Sequence, residues 1–150
     1  MSLELQINKK IKDAMRSRNQ IELDTLRSIK AAILLEKTQK GALEILEKSK
    51  ELKILQKLHK QRKESADVFN KQNRPDLAEQ ELLQAVIIEQ YLPEQISEEE
   101  LITIIKDIIS QAGGKSMNDM GKIMGLATSK LAGKADGKTI SNIVRNLLIS

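Results

Sequence analysis

The stretch AGKADGKT, Ala132 to Thr139, ends in Gly137-Lys138-Thr139, the residue types with which a phosphate-binding loop closes on a nucleotide. Such a loop needs four residues between its first glycine and the Gly-Lys-Thr, so that successive backbone N–H groups wrap the phosphates while the lysine reaches the terminal ones. The required position holds Ala132, and Gly133 leaves too few residues in between. One of these, Asp136, would set a carboxylate against the phosphate oxygens. The loop must also leave a buried strand, whereas the preceding MGKIMGLATSKL has helical spacing and no β-branched run. The stretch reads instead as a turn between two helices, with Gly133 as the stop and Asp136 as the next start. Its lysines, Lys134 and Lys138, stand at an exposed junction where Lys138 and first-turn N–H groups can jointly meet a phosphate.

Other chemistry is sparse. His59, the single histidine, lies in a lysine-rich helix with no nucleophile spaced to it, so neither a catalytic triad nor a histidine metal site can be assembled around it. It reads as a surface or half-buried side chain. Glu98, Glu99 and Glu100 fall in the first turn of a helix, where negative charge is stabilising without a further role. Met117, Met120 and Met124 read as pliable core filling. Gly121 and Gly125, one turn apart inside a helix, each cost roughly 1 kcal/mol relative to alanine. Close helix packing is the expected offset, and close approach of an RNA backbone is the alternative. In KSKELKILQKLHKQRK, Lys48, Lys50, Lys53, Lys57, Lys60, Arg62 and Lys63 stand against Glu51 alone, the pattern of a solvated helix face or of one turned to phosphates. No catalytic residue, cofactor or metal is expected.

The elements that must position these residues follow from composition and period. A chain of 150 residues is long enough to bury a core without staples, and it has no cysteine. The cysteine-free composition, the charged N-terminal segment and the lack of a long apolar run lead to the expectation of a soluble, cytoplasmic protein without leader or membrane anchor. Phe69 and Tyr91 are the only aromatic residues, and the Leu and Ile content argues for helix packed on helix. So few aromatics also disfavour a single-strand binder that stacks bases. The net charge of +4 lies entirely before Leu92, and acids and bases balance beyond it.

Leu3, Ile7, Ile11, Ala14 and Met15 predict a first amphipathic helix that stops at RSRNQ; Leu26, Ile29, Ile33 and Leu34 predict a second, antiparallel to it, stopping at Gly41. From Leu43 to about Asn73 the helical stripe is thin: Leu46, Leu52, Leu55, Leu58, Ala66 and Phe69. Pro75 suits the first turn of a helix through Leu77, Ala78, Leu82, Ala85, Val86 and Glu89, which ends near Tyr91 because Pro93 pushes Leu92 out of the helical region. Ser97 and Glu100 have capping-box spacing and restart a helix, so the domain cut is expected at residues 1–93 and 94–150. Three helices fill the second part. The first carries Leu101, Ile104, Ile105, Ile108 and Ala112 and ends at Gly113-Gly114. The next is capped by Ser116 or Asn118 and closed by Gly133. The last runs from Asp136 through Ile140, Ile143, Val144, Leu147 and Leu148.

In chain order, LRSIKAAI from Leu26, QRKESADVF from Gln61, YLPEQISEEEL from Tyr91, DMGKIMG from Asp119 and GKADGKTISNIVRNLL from Gly133 resemble the GatB/YqeY family over nearly the whole chain. The resemblance implies an all-α protein, an N-terminal antiparallel helical hairpin part joined to a C-terminal three-helix bundle. That bundle resembles the tail domain of the B subunit of glutamine-dependent aminoacyl-tRNA amidotransferases, a tRNA-contacting module whose kinase and transamidase chemistry lies in other domains. A family-level label of carbon-nitrogen ligase with glutamine as amide donor finds no catalytic residue in this chain. By position the tRNA-facing turn corresponds to Lys130, Lys134 and Lys138, with Lys122 and Arg145 nearby. Lys60, Arg62 and Lys63 of the basic helix are added to it as RNA-binding candidates. The expected function is a non-catalytic module that binds tRNA or serves an amidotransferase. Its expected partners are tRNA and an amidotransferase or aminoacyl-tRNA synthetase, with no membrane. The alternative is a protein-interaction adaptor, which would show a partly exposed apolar stripe around Leu46 to Leu58.

Overall fold

Backbone N–H groups at a helix start lack intrahelical acceptors, and the residues placed before each helix supply them. In the computed structural model, which describes residues 2–39, 41 and 45–149, Ser2 Oγ accepts the N–H of Leu5 at 3.3 Å and opens α1, Leu3–Ser17. Arg18 follows in a left-handed conformation, and Asn19 opens α2, Gln20–Gln39, its Oδ1 accepting the N–H of Glu22 at 3.2 Å. RSRNQ is therefore a stop and a restart within two residues. The two helices pack antiparallel: Lys37, in the last turn of α2, donates to Glu4, in the first turn of α1, at 2.7 Å.

The third helix, α3, spans Lys48–Lys71 and starts later than its apolar stripe implies. Leu43, the expected start, lies outside the described residues; Leu46 is buried ahead of the helix, and Glu47 takes the cap position. The turn after α3 puts Asn73 in the left-handed region and closes with the N–H of Arg74 on the carbonyl of Phe69 at 2.8 Å. Pro75 is then the first residue of α4, Pro75–Glu89, where its missing N–H costs nothing. The α3/α4 pair is the most extensively packed in the chain. Its buried residues include Ala66, Ala78 and Ala85, side chains small enough to let two helix backbones approach closely.

The chain divides into two compact units, Met1–Leu92 and Pro93–Ser150. In the first, Leu3, Ile7, Leu26, Ile29, Ile33, Leu55 and Ile88 form the centre of the core, with Tyr91 and Leu92 packed against it. Each such side chain contributes roughly 1.5–3 kcal/mol when fully buried. Leu34, Leu82 and Val86, expected to face this core, are largely exposed. For Leu82 and Val86 the reason is rotational: α4 turns Ala78, Ala85 and Ile88 inward, and the residues between them take the outer face.

In the second unit, Ser97 Oγ accepts the N–H of Glu100 at 3.3 Å and opens α5, Glu98–Ala112. Gly113 ends it at φ 69°, a conformation that glycine adopts without strain. A single 3-10 turn, Met117–Asp119, leads into α6, Met120–Lys130, and α7 spans Gly137–Ile149. The three α-helices each pack on the other two around Leu101, Ile105, Ile123, Ala127, Ile140 and Val144. Met120 and Met124 lean on this core as expected, whereas Met117 is exposed because it lies in the turn before α6. Among the described residues the regular structure is seven α-helices and that one 3-10 turn, with no strand; the all-α expectation holds. Among the described residues no helix is long and apolar enough to cross a membrane.

Candidate nucleic-acid interface

The connection from α6 to α7 is built from its backbone. Leu131 is buried, Gly133 turns the chain at φ 75°, and the N–H of Lys134 closes on the carbonyl of Leu131 at 2.9 Å. Two residues from the start of the second unit then hold the turn. Gln95 Nε2 donates to the carbonyl of Gly133 at 2.8 Å and to that of Pro93 at 2.9 Å, and the N–H of Ile96 donates to the carbonyl of Lys134 at 3.0 Å. Lys134 therefore extends an exposed side chain from a pinned backbone. Neither Gln95 nor Ile96 was singled out from the sequence, because a lone polar residue between a proline and a capping serine carries no periodic signal.

Lys130 ends α6, Lys134 stands in the turn and Lys138 is the second residue of α7, so three exposed cations mark the start, middle and end of one connection. Arg145 lies seven residues beyond Lys138, nearly two turns on and on the same side of α7, and both are exposed. Lys122 is placed differently. Its Nζ donates to the carbonyl of Ala112 at 3.4 Å, across the corner between α5 and α6. It also lies close to Asp119, whose carboxylate accepts the N–H groups of Lys115 at 2.8 Å and Ser116 at 3.3 Å. Those backbone bonds hold the Asp119 carboxyl below the usual carboxylate range, helped by the charges of Lys122 and Lys115.

Gly121 and Gly125 correct the packing reading. Both are exposed on the face of α6 opposite Ile123 and Ala127, and a Cβ built on either would meet no described atom beyond its own stretch of helix within 4 Å. Among the described residues of the second unit no helix packs against them, so packing within the bundle does not offset their cost. Thr128, Ser129 and Ala132 continue the exposed small-residue surface.

In the first unit, Lys60 and Lys63 are exposed on α3. Arg62 is instead committed within the unit. Its Nε donates to Gln84 Oε1 at 2.7 Å and lies 3.8 Å from Glu81, and its NH2 donates to Ser28 Oγ at 2.8 Å, so one guanidinium joins α2, α3 and α4. His59 is half-buried, as expected, with Nε2 2.6 Å from Glu89 Oε1.

A family model described as Yqey-like protein matches residues 4–148. Altered inheritance of mitochondria protein 41, mitochondrial, of Pyrenophora tritici-repentis is 29% identical over 143 residues, 92% of this chain and 76% of that protein. The protein of the same name from Meyerozyma guilliermondii is 40% identical over 89 residues, 57% of this chain but only 44% of its own length. A glutamyl-tRNA(Gln) amidotransferase subunit of Thermococcus gammatolerans is 46% identical over 54 residues, 33% of this chain and 9% of its own length. The names of the fungal relatives overturn the cytoplasmic expectation. Freedom from cysteine and from long apolar runs does not distinguish one reducing compartment from another. With the match running from the first turn of α1 to the last of α7, the chain belongs to the Yqey-like protein family.

Proposed function

We propose that the second unit is a binding module for structured RNA, tRNA in the first place, reading shape and phosphate rather than bases. The observation that carries this reading is the bare outer face of α6. Gly121 and Gly125 together cost roughly 2 kcal/mol of helix stability with nothing packed on them, which suits a surface where a second backbone comes close. The exposed cations Lys130, Lys134, Lys138 and Arg145 supply the charge on the same unit, and Lys122 adds to it at the start of α6. Double-helical RNA is recognised mainly through phosphates and 2'-hydroxyls, which requires no aromatic platform. The archaeal relative named as a glutamyl-tRNA(Gln) amidotransferase component, 46% identical over its matched stretch, supports tRNA as the ligand and an amidotransferase as the protein it works beside.

The test is fluorescence-anisotropy titration with total tRNA and with an unstructured RNA of equal length, across a salt series, for the wild-type chain and for Lys134→Ala/Lys138→Ala. Preferential tRNA binding is expected, weakening with salt, with the log–log slope shallower by about 2 in the double variant. Equal binding of both RNAs, or a slope indifferent to the two lysines, would overturn the assignment.

A further inference from the structure

The first unit has an open groove where α2 faces α3. These two helices pack less extensively on each other than α2 does on α1 or α3 on α4. Between them lies a hollow of about 260 Å³ that continues into another of about 220 Å³ through Glu36, Ile54 and Lys57. Its apolar lining is Ala32 and Leu35 from α2 with Ile54 and Leu58 from α3, and Leu35 is 59% exposed. The rim is basic. Lys53 and Lys57 are exposed and form no hydrogen bond or ion pair with the described residues, and Lys50 lies 4.0 Å from Glu36 across the groove. Glu51, the one acid within the basic run, is turned to the start of α1, where it binds the N–H of Leu3 at 2.8 Å. Lys50, Lys53 and Lys57 stand against Glu36 alone along the groove, which leaves it an excess of positive charge.

We infer that this groove seats an amphipathic helix of a partner protein, its leucine-type anchors on the Leu35/Ile54/Leu58 lining and its acidic flank against Lys53 and Lys57. The length fits. From Lys50 to Gln61, α3 offers about 17 Å of wall, three turns of a docked helix with anchors at i, i+3, i+4 and i+7. A phosphate backbone would use the lysines and leave the exposed apolar lining uncovered, so the combination favours a protein helix over RNA at this place. The inference concerns the first unit and stands independently of the RNA reading of the second.

The probe is a fluorescein-labelled helical peptide of about 18 residues, leucine at the anchor spacing and glutamate elsewhere. It is compared with a scrambled peptide of the same composition and with an unstructured RNA of equal net charge, each titrated with the full chain. The amphipathic peptide is expected to bind at least about tenfold tighter than the scrambled one. Leu35→Asp and Lys53→Glu/Lys57→Glu are each expected to weaken it by about tenfold or more. Leu35 is exposed, so Leu35→Asp should keep the wild-type circular dichroism spectrum and melting temperature; Lys134→Ala/Lys138→Ala should leave peptide binding unchanged. Absence of binding, equal binding of the scrambled peptide, or indifference to Leu35→Asp would overturn the inference. Tighter binding of the RNA through Lys53 and Lys57 would overturn it in favour of a phosphate surface.

Discussion

Glu51 of α3 accepts the backbone N–H of Leu3, the first residue of α1, at 2.8 Å across forty-eight positions of chain. One carboxylate thus satisfies an orphan donor and sits at the positive end of another helix, both favourable. Glu51→Ala is expected to destabilise the first unit by about 1 kcal/mol, read from the shift in urea midpoint at constant slope. An unshifted midpoint would mean that water replaces the carboxylate without loss.

Substitution at the α6 glycines separates structure from function. Because a Cβ at Gly121 or Gly125 meets nothing, Gly121→Ala and Gly125→Ala are each expected to stabilise the chain by about 0.5–1 kcal/mol while weakening tRNA binding. Thermal melts and anisotropy on the same preparations read both quantities. Stabilisation with unchanged tRNA binding would detach these glycines from the proposed interface.

Arg62 predicts a loss of the opposite kind. Its bonds to Ser28 and Gln84 join three helices through a side chain that is 19% exposed. Arg62→Ala is expected to cost about 2 kcal/mol. Arg62→Lys should recover little, since an ammonium cannot span both acceptors as the planar fork does. The check is equilibrium unfolding; tRNA affinity per folded molecule should stay within about twofold.

Tyr91, the single tyrosine, gives a spectroscopic handle in a chain without tryptophan. Partial burial against the first core raises its pKa, and the charge of Glu22 raises it further. A raised acid binds its proton more tightly when folded, so its contribution is fully present below the unfolded value of about 10 and is lost as pH rises through the folded value. Tyrosinate absorbance should therefore appear at higher pH in the native chain than in guanidinium, and Glu22→Gln should narrow the gap. Coincident titration curves would contradict this.

What was legible in the sequence is what neighbours in sequence decide. The cap at Ser97, the stop at Gly113, the turn at Gly133 and the start at Pro75 all stand where local hydrogen bonding and backbone preference put them, and helical spacing with few aromatics led to an all-α chain. The candidate cations were legible as residues and not as partners. That Arg62 is engaged between three helices while Lys134 is held outward by Gln95 and Ile96 depends on groups tens of positions away. The exposure of Leu82 and Val86 likewise follows from how α4 rotates against its neighbours, and a hydrophobic period fixes a face only up to such a rotation. Glycine spacing stated a cost at Gly121 and Gly125; only the tertiary structure decided that open space, and not a packed helix, lies over them.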